Sequence, residues 1–180
     1  EAILDAHGLT HFDEKHRVNR PNDDELARAY VWSANWWTAA IQGLPAFQEA
    51  IDAPWDIPEM RRYGSDWSLL FRPATHVALF RALNITTLCG LSLEEALERM
   101  NLIDWRADRD MWIDTIIRSN GRMVANDGAF RLTGRLIAYL AAADKMKRDQ
   151  IDRLQNDYST ARGGRPGIFS GRLRLPEPVI

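Results

Sequence analysis

Residues 22–43 read NDDELARAYVWSANWWTAAIQG, a stretch with the signals of one long helix. Asn22 is a favourable N-cap, and the acidic residues that follow it lie where the helix dipole favours negative charge. Gly43 is a typical residue beyond a helix end, so we expect the helix to run to about Gln42. This stretch therefore predicts a helical rather than a β-rich fold.

Apolar residues recur along this helix at intervals of three or four positions. They are Leu26, Tyr30, Ala34, Trp37 and Ile41. That period places them on one face of a helix. Val31, Trp32 and Trp36 widen the face, which indicates that the helix is covered on more than one side. We expect this helix to lie at the centre of the core.

Caps and prolines mark the starts of further helices along the chain. Pro45 is expected to open a short helix to about Ile51, and Pro73 a helix to about Asn84, because proline suits the first helical turn. Ser92 and Glu95 match the capping-box pattern. Further helical segments are expected at 58–62, from about 108, at 127–143 and at 144–161.

The sequence also contains signals of limited β-structure. Asn120 and Gly121 lie between the apolar runs 115–118 and 122–124, a pattern typical of a tight hairpin turn. Residues 66–71 could form a short strand or an extended segment that leads into the next helix. We therefore expect one small β-hairpin.

Together these signals predict a mainly α fold, a compact multi-helix domain around a tryptophan-rich core. We expect residues 1–161 to form the helical domain, with 1–21 as an irregular lead-in. Residues 162–180 are rich in arginine and proline and predict an extended tail or an arm that packs elsewhere. The chain begins with Glu1 rather than methionine, so we expect it to be a fragment of a longer protein.

The seven tryptophans are the most unusual feature of the composition. They are Trp32, Trp36, Trp37, Trp55, Trp67, Trp105 and Trp112. Each can bury a large apolar area, which favours a dense core over an aromatic surface site for most of them.

The overall charge limits the classes of partner that the chain can bind. With a net charge of −2 over 180 residues, no global basic field attracts nucleic acid, so any DNA contact needs a local patch. Cys89 is the one cysteine, which excludes an internal disulfide and fits a reducing compartment. No apolar run approaches the roughly 20 residues that span a bilayer. We expect a cytoplasmic protein without a membrane partner.

Motifs of self-sufficient catalysis are absent from the sequence. It contains no GxSxG, P-loop, HExxH or Rossmann glycine pattern, so we expect no catalytic residue and no cofactor. Asp104 and Asp108 are the carboxylates to inspect for acid–base chemistry, although helix capping explains them better. An enzyme of unrecognised type stays a third hypothesis; it would need a deep pocket that combines one of them with His76.

Three histidines near the N-terminus have a spacing that resembles metal ligands. They are His7, His11 and His16, with Asp13 among them. Nothing else in the sequence completes a coordination set, so a solvated terminal segment is the favoured interpretation, and we expect no metal site.

Arginines are the most concentrated polar chemistry in the chain. The candidate DNA-binding residues are Arg118, Arg122, Arg131, Arg135, Arg162 and Arg165. Guanidinium groups suit phosphate oxygens, and such patches give sequence-independent DNA affinity. Acidic residues such as Asp104 and Asp114 are interleaved with them, so an ion-paired surface is the alternative interpretation.

Several short motifs resemble one known family. The first is the run LLFRPATHVAL, residues 69–79. The others are Leu102-Ile103-Asp104-Trp105, Met111-Trp112, Asn120-Gly121-Arg122-Met123, Leu132-Thr133 and Leu136-Ile137. In this order they resemble the C-terminal region of DGQHR-domain proteins, the family of the DNA sulfur modification protein DndB. The resemblance covers residues 65–160.

The resemblance implies a role on or near DNA. Its family members belong to bacterial DNA modification (phosphorothioation) and restriction systems, and DndB is regarded as a DNA-binding regulator. The DGQHR signature is absent here, which implies a C-terminal piece without the chemistry of the signature domain. The matching positions are Arg72, Asp104, Trp105, Trp112, Asn120 and Gly121. We expect a non-catalytic accessory domain that contacts DNA or partner subunits; the alternative is an oligomerisation module with an exposed apolar patch and no DNA binding.

Overall fold

The computed structural model describes residues 22–60, 68–165 and 167–180 and is mainly helical, as predicted. Its α-helices are α1 (Asp23–Gly43), α2 (Pro45–Asp52), α3 (Ile57–Met60), α4 (Pro73–Leu88), α5 (Leu93–Met100), α6 (Asp127–Ala142) and α7 (Arg148–Ala161). Short 3-10 turns occupy Pro54–Asp56, Leu69–Phe71, Asp110–Trp112 and Gly171–Leu173. The expected lead-in 1–21 lies outside the described residues.

The helix starts follow the local signals of the sequence. Asn22 and Ser92 each cap a helix in a reciprocal capping box, with Glu25 and Glu95 as the third residues. Pro45 and Pro73 are the first residues of α2 and α4. These predictions are confirmed because caps depend on hydrogen bonds within a single turn.

The centre of the core is the pair α4 and α6, which pack closely along their length. Gly134 permits this approach, since a Cβ there would lie 3.0 Å from the Arg81 Cβ and 3.1 Å from the Ala78 carbonyl oxygen. Both helices bury residues around more than one side. Helices α5 and α7 pack against this pair, and α1 and α2 reach α4 through the ring contacts of Trp36 with Phe80 and of Phe47 with His76.

Helix α1 is not the centre of the core, contrary to the prediction. It buries Ala29, Trp36 and Ala40, whereas Tyr30 is 75% exposed and Trp37 is 38% exposed. The buried face is thus rotated by about one residue from the expected one. Apolar residues occur nearly all around this helix, so their spacing in the sequence does not predict which face packs against the other helices.

The core contains several tryptophans, as expected. Those buried are Trp36, Trp105 and Trp112. Trp32 packs beside Trp36 with ring centroids 5.0 Å apart, and the rings of Trp105 and Trp112 are stacked at 5.6 Å. Trp55 is exposed, and Trp67 lies outside the described residues.

The expected hairpin does not form as a pair of strands. Gly121 supplies the tight turn with φ +79°, and Ile117 makes an isolated antiparallel bridge to Met123. Ile117 also bridges Ile113, and its N–H donates to the Trp112 carbonyl oxygen. Residues 112–117 are therefore bonded to one another before the turn, and they do not form a regular ladder of hydrogen bonds between two strands. The other possible strand was residues 66–71, of which the structure describes the part from Ser68 onward. Ser68 makes one isolated bridge to Arg106, and a 3-10 turn follows.

The C-terminal residues pack back onto the helices, the second of the two expectations for this segment. Leu175 and Val179 pack against the core. The Val179 N–H donates to the Leu140 carbonyl oxygen at 3.0 Å, in the last turn of α6. Across the described ranges, no helix has both the length and the apolar character to cross a bilayer.

Candidate functional site

A surface depression of about 360 Å³ lies at the start of α6. Arg118 and Arg135 line it, together with Gly128 in the first turn of α6 and Asp157 near the end of α7. We call it the α6 depression. Two of the six arginines chosen from the sequence are therefore brought together by the fold, although 17 positions separate them in the chain.

Local structure fixes one wall of the α6 depression. Asn126 caps α6 by accepting a hydrogen bond from the Ala129 N–H at 2.9 Å. Arg131 and Arg135 follow one helical turn apart on the outward side of the helix, as the spacing predicted. The backbones of Arg118 and Arg122 are adjacent: the Arg118 N–H donates to the Arg122 carbonyl oxygen at 2.8 Å.

The arginines at this surface are paired with aspartates. Arg135 lies 2.6 Å from Asp157, and Arg118 lies 3.9 Å from Asp114. The third pair joins Arg131 to Asp127. Such exposed ion pairs are each worth about 0–1 kcal/mol, so an incoming anion can replace the carboxylate.

Two of these aspartates each serve two arginines. Asp127 also binds Arg81 of α4 at 2.8 Å. Asp114 also binds Arg172 of the C-terminal segment at 2.9 Å. Hydrogen bonds from Arg81 first, and then from Arg131, hold the pKa of the Asp127 carboxyl below its ordinary value.

Because Arg81 and Arg131 share the carboxylate of Asp127, removing either arginine should change the pKa of that carboxyl. We expect Arg81→Met to raise the pKa of Asp127 toward the ordinary aspartate value more than Arg131→Met does, because Arg81 contributes the larger effect. A carboxyl with a lowered pKa stabilises the fold above its unfolded pKa, and this contribution is lost as the pH falls through the folded value. Carboxyl NMR titrations of both variants test the order; an equal or reversed response would contradict it.

Arg162 does not belong to the exposed surface, and for this residue the DNA-binding prediction is wrong. Its side chain is 0% exposed. The guanidinium donates to the carbonyl oxygens of Asp110 and Ile113, pairs with the Asp110 carboxylate at 2.5 Å, and lies over the Tyr158 ring. Burial raises the pKa of Tyr158 to about 12. Arg162 therefore anchors the end of α7 and cannot reach a phosphate.

The other two candidate arginines are exposed. Among the residues that the structure describes, Arg122 and Arg165 form no ion pair. Arg122 belongs to the turn next to Arg118. No contact of the described residues places Arg165 beside the α6 depression; its carbonyl oxygen accepts from the Ile168 N–H at 3.1 Å.

The residues named for a possible enzyme do not meet in one pocket. Asp104 accepts hydrogen bonds from Arg106 and Arg109. His76 lies in a separate groove of about 210 Å³ with Trp37 and Phe47, and no carboxylate of the residues that the structure describes lines this groove. Within the described ranges, no group of His, Cys, Asp and Glu could hold a metal ion, and the N-terminal histidines lie outside those ranges.

An exposed apolar patch was expected only under the oligomerisation alternative, and its location was not predicted from the sequence. The large hydrophobic residues exposed on α1, on α2 and just after it are Tyr30, Val31, Trp37, Ile51 and Trp55. Their number in one part of the chain was visible from the sequence. Their exposure was not, because it depends on which face of α1 packs inward.

The segments that carry the family resemblance are joined in the structure. The Leu69 N–H donates to the Trp105 carbonyl oxygen at 2.8 Å. The Trp112 Nε1–H donates to the Asp104 carbonyl oxygen at 3.0 Å, and the Trp105 Nε1–H donates to that of Met100. The matching positions are therefore packing and turn residues of one unit.

Comparison with known proteins gives no family assignment: no protein-family model matches the chain, and no curated protein or solved structure is significantly similar to it.

Proposed function

We propose that this chain is a non-catalytic helical accessory domain of a DndB-like, DNA-modification-associated protein. In this proposal it contacts the DNA backbone through the α6 depression and the adjacent Arg131. The resemblance of residues 65–160 supplies the connection to DNA modification, and the joining of its two main segments around Trp105 supports it. A cytoplasmic location belongs to the same proposal, in keeping with the single free cysteine.

The convergence of arginines carries the DNA contact. Arg118 and Arg135 line the same depression, and Arg131 lies one turn from Arg135. Planar guanidinium forks bind phosphate oxygens with two hydrogen bonds each, and each phosphate contact releases condensed counterions. Nothing in this arrangement reads base edges, so the proposed binding does not depend on the DNA sequence.

A salt-titrated binding assay tests this proposal. We expect the full chain to bind a duplex oligonucleotide at low salt, with affinity falling steeply between about 50 and 200 mM salt. The double variant Arg131→Ala/Arg135→Ala should bind more weakly and lower the slope of log K against log salt by about 2, because two phosphate contacts are lost. Fluorescence anisotropy measures both quantities.

The matched control removes two arginines from the first half of α7. Arg148 and Arg153 form ion pairs with Asp152 and Asp149 at a spacing of four residues, as Arg131 does with Asp127. Arg148→Ala/Arg153→Ala changes the net charge equally, so it should leave the salt slope nearly unchanged. Undetectable binding at low salt, or equal losses in both double variants, would refute the DNA contact.

An assembly module without DNA binding is the second candidate function. The apolar surface of α1 and α2 favours it, because exposed apolar patches mark interaction sites. Tyr30→Ser/Val31→Ser should then weaken self-association in sedimentation experiments. The same variant should leave any DNA affinity unchanged, so the two functions can be separated.

A further inference from the structure

The groove that contains His76 is lined almost entirely by apolar side chains. Helix α1 contributes Trp37, α2 contributes Phe47 and Ile51, and α3 contributes Ile57. We call it the α2 groove. Trp37 is 38% exposed and Ile51 is 52% exposed, so the apolar lining reaches the surface of the protein. Exposed apolar surface of this kind marks a site that receives an apolar group.

The size of the α2 groove limits what it can receive. Pockets that enclose a drug-sized molecule have volumes of about 300–1,000 Å³. The α2 groove measures about 210 Å³, so it suits one large apolar side chain better than a whole small molecule. Trp55 is 73% exposed in the turn between α2 and α3, two helices that line the groove. It gives a partner further apolar surface to cover.

The part of the chain that forms most of the groove is strongly acidic. Residues 22–60 contain seven acidic residues and one basic residue, Arg28, which gives a net charge of −6. The other described residues, 68–165 and 167–180, contain 17 basic and 13 acidic residues, a net charge of +4. A surface with this excess of carboxylates repels DNA and attracts a basic partner.

Local structure does not account for the acidic residues of α2. Glu49 and Asp52 lie in its last turn, where the helix dipole favours cations and disfavours carboxylates. Asp52 accepts a hydrogen bond from the Gln48 side chain at 3.2 Å. Among the residues that the structure describes, neither carboxylate has an ion pair, and the same holds for Asp56 and Glu59. Carboxylates that lie next to the groove lining in the sequence are therefore available to a cationic partner.

We propose that the α2 groove binds a basic amphipathic helix of a partner protein. One large apolar side chain of that helix enters the groove, and its lysines or arginines face the carboxylates of α2 and α3. Specific interfaces have such an apolar centre with a polar rim. The described residues that line the groove belong to helices and a 3-10 turn and offer no strand edge. Docking of a helix needs only side-chain contacts, whereas addition of a strand needs an edge.

A synthetic amphipathic helix of about four turns is the probe, with leucines along one face and lysines along the other. We expect the full chain to bind this lysine peptide in fluorescence anisotropy. A peptide with glutamate in place of lysine should bind at least about tenfold more weakly, because like charges then meet at the rim. A peptide with serine in place of leucine should lose at least about tenfold, because no apolar anchor enters the groove.

Variants of the chain locate the bound peptide. Ile51→Ser removes a half-exposed lining side chain and should weaken binding of the lysine peptide about tenfold. Glu49→Gln/Asp52→Asn preserves the side-chain shapes and should weaken binding about fivefold, because two exposed charge pairs are lost. The matched control is Glu94→Gln/Glu98→Gln, which removes two exposed carboxylates of α5, a helix that does not line the groove. This control should bind like the unmodified chain.

Several outcomes would overturn the proposal. They are equal affinity for the lysine and glutamate peptides, equal affinity for the peptide without leucines, and unchanged affinity in Ile51→Ser. In sedimentation velocity, a dimer of the chain that the lysine peptide dissociates would assign the groove to a second copy and would also overturn it. Arg131→Ala/Arg135→Ala should bind the lysine peptide like the unmodified chain, so the result is independent of the proposed DNA contact.

Discussion

Trp112→Ala is expected to lower the free energy of unfolding by about 4 kcal/mol, as large aromatic-to-alanine changes in cores do. Trp112 is 0% exposed and stacks on Trp105. The substitution also removes the donor to the Asp104 carbonyl oxygen. Lost burial, a residual cavity and a lost hydrogen bond therefore act in the same direction. Urea unfolding followed by far-UV circular dichroism measures the change.

The control for this variant removes a tryptophan that does not pack. Trp55 is 73% exposed, so Trp55→Ala should change stability by no more than about 0.5 kcal/mol. If both variants lose the same stability, the stacked pair of Trp105 and Trp112 is not a core element. A loss below about 1 kcal/mol for Trp112→Ala would contradict its close packing.

Gly134→Leu is expected to destabilise the chain by about 3 kcal/mol, the upper range of overpacking effects. The nearest atoms to a Cβ at Gly134 include the Ala78 carbonyl oxygen, which belongs to backbone of α4 and cannot turn aside. The larger side chain would force α4 and α6 apart. Replacing glycine in a helix otherwise gains about 1 kcal/mol, so the packing cost must exceed that gain.

A variant at a second glycine of the same helix distinguishes the effect of packing on stability from the effect of helix propensity. Gly128 lies in the first turn of α6 and is exposed; a Cβ there would meet the Asn126 Oδ1 at 3.3 Å and no other atom within 4 Å. Gly128→Ala should therefore change the stability by no more than about 1 kcal/mol, because the gain in helix propensity is offset by pressure on the capping oxygen of Asn126. Thermal unfolding of both variants decides the matter: a stabilised Gly134→Leu would show that α4 and α6 do not meet closely there.

The helix starts could be predicted from sequence because their causes are local. Asn22, Ser92, Pro45 and Pro73 act through bonds and steric limits within one turn. The inward face of α1 could not be predicted, because every side of that helix carries an apolar residue. Contacts of α1 with α2 and α5, and of its tryptophans with Phe80 of α4, decide which of these residues is buried.

In the candidate site, too, features with a local cause could be predicted and features that depend on distant residues could not. The spacing of Arg131 and Arg135 is a property of one helix and was predicted correctly. The burial of Arg162 was not foreseeable, since its partners Asp110 and Ile113 are 52 and 49 positions away. Nothing in the local sequence distinguishes Arg162 from the exposed Arg165. The fold alone determines which arginine of this segment is withdrawn from solvent.

In the proposed DNA contact, the double pairing of two aspartates implies an order in which the arginines turn toward a phosphate. When Arg131 leaves Asp127, Arg81 still neutralises that carboxylate, and when Arg118 leaves Asp114, Arg172 does the same. Asp157 has no second arginine among its described ion pairs, so turning Arg135 away isolates a negative charge close to the anion. Arg118 and Arg131 are therefore the side chains that reorient at lower cost, and Arg135 the one that resists.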